Sequence, residues 1–157
     1  MKRILLVPAA ALLLSGCGSD SKQPVIEVAQ KAEAPAPKDE TRRFPVADQV
    51  DTKLVVKELL GKRFMPGGTI AHYKKGETEY DMFVAQFPTA TDAAIAIANW
   101  DGALKDPKLI PTFGGYFGTD EGRPVFVFPK DKWVAGVVGL SQKDADPAAR
   151  ILAAHLN

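Results

Sequence analysis

The run Thr78 to Phe87 constrains the fold more than any other segment of the chain. It reads as a β-strand, and its centre, Met82-Phe83-Val84-Ala85, is apolar at every position. Successive side chains of a strand point to opposite faces of a sheet, so this strand needs cover on both. The segment therefore predicts a central strand in a layered domain. Thr69 to Lys75 alternates enough to pair with it through the hairpin connection Lys75-Gly76-Glu77.

The remaining elements supply partners and cover. Pro88 stops the central strand, and Thr89 stands three residues before Asp92, as in a capping box. The helix that follows places Ala93, Ile97, Trp100 and Leu104 on one stripe and ends at Asp106-Pro107. Upstream, Asp48 reads as the cap of a helix running to Leu60, with Val50, Leu54 and Leu59 on one side and Gly61 ending it. Downstream, Phe113 to Gly118, Pro124 to Phe128 and Trp133 to Leu140 read as three strands joined by short turns. Asp146-Pro147 reads as a cap and first helical position of a last helix that buries Ile151 and Leu152. The expectation is an α+β domain: an antiparallel sheet of about five strands with packed helices, in the order α-β-β-α-β-β-β-α.

The N-terminus belongs to a different class of segment. Lys2 and Arg3 are followed by Ile4 to Leu14, apolar throughout except for Pro8. Eleven residues make a helix of roughly 16 Å, too short for a hydrocarbon core of roughly 30 Å, so the run reads as the apolar region of a signal peptide. Leu14-Ser15-Gly16-Cys17 then resembles the lipobox of bacterial lipoproteins, and the resemblance covers residues 1–17 only. It implies diacylglyceryl transfer to the Cys17 sulfur, cleavage after Gly16, and a membrane as partner through that lipid. Each buried methylene contributes about 0.8 kcal/mol, so two or three chains make a permanent anchor. Gly18, where an aspartate would signal inner-membrane retention, points to the cell envelope's outer membrane, facing the periplasm, in an organism with two membranes.

The sequence thus divides into a leader (1–16), a lipidated cysteine with a flexible tether (17–43), and one globular domain (44–157). Ala34-Pro35-Ala36-Pro37 marks the tether as extended and semi-rigid. Composition suits a packed domain, with 46% apolar and 25% charged residues. Cys17 is the single cysteine, so the domain must hold itself together without a disulfide. Removing Lys2 and Arg3 with the leader turns the formal charge from +1 to about −1, which gives no reason to expect nucleic acid as a partner.

Candidate chemistry is sparse. His72, near Glu79 and Asp81 in the hairpin, can be read as a metal ligand or base, but it lacks the second histidine that zinc sites use, and a strand residue with a local hydrogen bond is the simpler reading. His155 suits the end of the last helix. Phe113-Gly114-Gly115-Tyr116-Phe117-Gly118 places glycine beside aromatics, either as a binding groove or as a bulged strand. Tyr73, Tyr80, Tyr116 and Trp133 are candidates for an aromatic platform, and the binding-surface candidates are Tyr116, Phe117 and Trp133. There is no nucleophile elbow, and Asp81 with Glu121 has no spacing that favours a glycosidase pair. Absence of C-x-x-C-H removes the haem-carrier class. The sequence implies no cofactor and no metal. The expected function is a non-enzymatic envelope module that binds a protein, peptide or glycan; the alternative is a hydrolase of envelope polymers.

Overall fold

The computed structural model describes residues 36–157. Seven strands form one antiparallel sheet: β1 (Gln49–Lys57), β2 (Pro66–Lys75), β3 (Thr78–Gln86), β4 (Lys105–Ile110), β5 (Gly115–Asp120), β6 (Arg123–Lys130) and β7 (Trp133–Val138). Their spatial order is β1-β2-β3-β7-β6-β5-β4. Two meanders, β1 to β3 and β4 to β7, therefore meet where β3 pairs with β7. Helix α1 (Ala90–Ala103) links the meanders, and α2 (Gln142–Ala154) follows the second.

The apolar centre of β3 has the environment its sequence demands. Phe83 and Ala85 face α1, packing with Ala93, Ile97, Trp100 and the valines 125, 127, 134 and 138. Met82 and Val84 face α2, packing with Ala145, Ala149, Leu152, Phe126, Phe128 and Val137. One helix covers each face. Gly136, opposite Phe83 across the seam, has no room for a side chain: a Cβ there would lie 2.6 Å from the Phe83 ring and still closer to the Phe126 carbonyl. Thr89 caps α1, its side chain accepting from the Asp92 amide. Trp100 is fully buried, its ring 6.3 Å from that of Phe83 and its indole N–H directed at the Met65 sulfur at 3.3 Å.

The expected five strands and three helices are corrected to seven strands and two α-helices among the described residues. The segment Asp48 to Leu60 is not a helix but mostly β1, paired with β2 through Lys53 with Ile70 and Leu54 with Thr69. Val50, Thr52, Val55 and Val56 are β-branched, and that stiffness favours the pleat over the apparent 3.6-residue stripe. Only Leu59 of that stripe is buried, beyond the strand's end. The second missed strand is β4, where Asp106-Pro107 ends no helix but lies within an edge strand paired with β5. A proline is tolerated there because an edge leaves one side unpaired.

Helix α2 begins earlier than Asp146-Pro147 predicts. Ser141 is its cap, accepting from the Asp144 amide, and Pro147 lies inside the helix. The expectation that Ile151 and Leu152 are both buried is corrected: adjacent residues lie about 100° apart around a helix, so Leu152 is buried while Ile151 is 51% exposed.

Candidate binding groove

Residues assigned by composition to the tether form part of the fold. Lys38 to Ala47 runs as a strap across the sheet on the α2 side. The Glu40 amide donates to Thr69 Oγ1 at 3.0 Å, and the Thr41 hydroxyl donates to Thr52 Oγ1 at 2.9 Å. Tyr73 donates its phenol proton to the Pro45 carbonyl at 2.7 Å. Arg43 ties several parts together: it pairs with the buried Glu40 at 2.8 Å, sits 4.4 Å over the Trp133 ring, and donates to the carbonyls of His155 and Asn157. A small cavity of about 170 Å³ lies where the strap begins, beside Gly67, Phe87 and Lys132.

A larger groove of about 550 Å³ opens where α2, the strap and the β2–β3 hairpin fail to meet. Helix α2 lies over β6 and β7, so the α2 side of β3 is left partly open beyond it. Tyr80, Met82, Leu140, Ala148 and Ile151 supply apolar lining. Asp48, Lys75, Thr78 and Asp144 supply polar groups. Tyr80 stacks on Tyr73 with centroids 5.0 Å apart and planes 11° apart, so its ring is fixed. Burial pushes the Tyr80 phenol above its ordinary value, and the charge of Asp48 adds to the effect. The phenol stays neutral at physiological pH and serves the groove as a hydrogen-bonding group on a rigid apolar ring.

The α1 side carries the polar cluster. The His72 ring nitrogen Nδ1 is 2.8 Å from Asp81 Oδ1, while Arg123 donates to Asp81 Oδ2 at 2.8 Å. Lys74 and Glu79 pair at 2.8 Å beside them. His72 is raised above its ordinary value, first by the hydrogen bond to Asp81 and then by the charges of Asp81, Glu79 and Asp51. Both Asp81 oxygens are therefore engaged, one by the His72 ring and the other by the Arg123 guanidinium. Among the described residues no hydroxyl or thiol hydrogen-bonds to His72, and no cluster of three potential metal ligands occurs. The arrangement braces the sheet surface electrostatically.

The binding-surface candidates do not form one surface. Tyr116 packs toward α1, Phe117 packs on Phe126 on the other face, and Trp133 is 4% exposed beneath Arg43. The glycines before Tyr116 serve the backbone. Gly114 has φ +63°, and a Cβ on Gly115 would meet Phe128 Cα at 2.7 Å, so this stretch turns and then packs tightly on β6. Neither a groove nor a bulge is formed here: Phe113 and Gly114 lie in the turn before β5, and Tyr116 to Asp120 runs in unbroken register with β6. Gly16 and Cys17 lie outside the described residues. Sequence reasoning named Tyr80 but missed Met82, Ala148 and Ile151 as its companions. The one local signal was Ile151 beside Leu152, two large apolar residues that a single helix face cannot both bury. Comparisons with protein-family models, with characterised proteins and with solved structures gave no match.

Proposed function

We propose that this chain is an envelope lipoprotein whose domain binds an extended peptide segment in the groove beside α2. The anchoring half of the reading rests on the leader and Leu14-Ser15-Gly16-Cys17. Attachment is assigned to the lipid on Cys17; among the described residues no helix is long and apolar enough to cross a membrane. The groove carries the binding half: about 550 Å³, open, floored by Tyr80, Met82 and Leu140, with both charge signs among its polar groups. Ligand sites have this composition, apolar walls with a few placed polar groups. A peptide fits it because main chain can meet Thr78 and the Tyr80 phenol while apolar side chains meet Met82 and Ile151.

A groove-filling substitution tests the reading. Peptides selected from a random library on the wild-type protein should lose binding to Ala148→Trp and keep it on His72→Ala. Selection that yields no binder sensitive to Ala148→Trp contradicts the groove. Binders sensitive only to His72→Ala would move the site to the α1 side.

A further inference from the structure

The two edges of the sheet are built differently. Edge strand β4 has six residues, Pro107 without an N–H, Asp106 at φ +52°, and a register irregularity between Lys105 and Lys108. Short length, proline, bulges and charged side chains, lysine above all, are the devices that stop an edge from pairing. Over most of its length edge strand β1 has only the charges, Asp51, Lys53 and Lys57, which restrict pairing to a partner whose charges match. It spans nine residues, its only irregularity lies between Gln49 and Asp51, and Asp51 to Lys57 runs in register with β2. Its apolar side chains are open to solvent, with Val50 58%, Leu54 44% and Val56 72% exposed. Among the described residues no segment pairs with its outer side.

We propose that β1 is an interface between two copies of this chain, joined antiparallel about a two-fold axis at Leu54. An axis normal to the sheet keeps each side chain on its own face, so only registers with a residue on the axis are allowed. With Leu54 on the axis, Asp51 stands opposite the second copy's Lys57, and Lys57 opposite its Asp51. Neither residue has an ion-pair partner within the described residues of its own chain. Both lie on the α1 side of β1, since Asp51 pairs with His72 and Lys57 with Pro66 in β2. Leu54 meets Leu54, and Val56 meets Thr52. The neighbouring registers fail on charge. An axis at Lys53 puts lysine opposite lysine, and an axis at Val55 puts Lys53 opposite Lys57. Moving the axis to Thr52 runs the pairing through the irregularity between Gln49 and Asp51. Cross-strand opposite charges stabilise a pair and like charges oppose it, so the charges select the Leu54 register.

Charge exchange is the test. The full chain is purified in detergent, with detergent in excess so that micelles hold single assemblies, and its mass is followed by sedimentation equilibrium. Wild type should dimerise. Asp51→Lys and Lys57→Asp each create two like-charge contacts and should each weaken the dimer by about tenfold. The double variant Asp51→Lys/Lys57→Asp restores opposite charges and should recover most of the affinity. Both substituted positions are exposed on β1, and unchanged thermal unfolding of each variant shows that the fold is intact. A monomeric wild type overturns the proposal, whether β1 then stays open, pairs with the chain's own N-terminal segment or takes a foreign strand. A dimer that all three variants leave unchanged uses another surface and also overturns it.

Discussion

Thr69 has no exposed surface, yet its hydroxyl is a structural hub. It accepts the Glu40 amide at 3.0 Å and faces the Lys38 carbonyl at 3.4 Å. Thr69→Val keeps the shape and leaves the Glu40 N–H without that partner inside the protein. Such an orphaned donor costs about 1–3 kcal/mol, against a total stability of about 5–15 kcal/mol for a domain of this kind. The denaturation midpoint should fall, whereas Thr52→Val, which leaves no buried amide unpaired, should cost less. His72 is the second residue-level test. Its folded-state value is raised above the ordinary 6.5, chiefly by the Asp81 hydrogen bond. The stabilisation it gives is therefore complete below about pH 6.5 and is lost as pH climbs through the folded-state value. The His72 ring protons, followed by NMR, should titrate above 6.5 in wild type and lower in Asp81→Asn. A midpoint that Asp81→Asn leaves in place would break the assigned cause. At this scale Trp100 was legible and Trp133 was not. Trp100 belongs to a stripe written in neighbouring residues. Trp133 follows an exposed turn, and the guanidinium that buries it comes from the strap, where no local pattern announces it.

The strap is the element that local reading misplaced. Ala34-Pro35-Ala36-Pro37 signals an extended linker, but the fold takes up the chain by Lys38. A chain trimmed to residues 36–157 should unfold at the same temperature as one retaining the upstream segment. Trimming to residues 44–157 removes the Glu40–Thr69 bond and the Arg43 cover of Trp133, a loss on the order of 2 kcal/mol. Calorimetry separates the two, and equal melting temperatures would place the strap outside the cooperative unit. Strand β1 misled for a related reason. An edge strand carries a weak pattern: among the described residues the outer side of β1 is unpaired, and its half-buried positions, Gln49, Thr52 and Val55, recur every third residue instead of every second. Three apolar residues in such a stretch match a helix stripe by chance. The central strands β3 and β7 gave no such ambiguity, since each is apolar on both faces.

Across the whole molecule, one sheet separates two different surfaces. The α1 side closes over an aromatic core and, beyond the helix, is braced by the charged ladder of Lys74, Glu79, Asp81, Arg123 and His72. On the α2 side the strap and helix leave the groove between them. The need for cover on both faces was legible from four residues of β3. The groove was not, because it arises from what α2 and the strap leave uncovered, and both were placed differently by local signals. The proposed anchor gives these surfaces an orientation problem that a soluble protein lacks: the groove must stay accessible beside a membrane. That orientation depends on the proposed anchor at Cys17. Cells fed an alkyne fatty acid should incorporate label into the wild-type chain, and Cys17→Ser should abolish the label and release the chain from the detergent-partitioning fraction. Label that persists in Cys17→Ser, or a wild type that carries none, would contradict it.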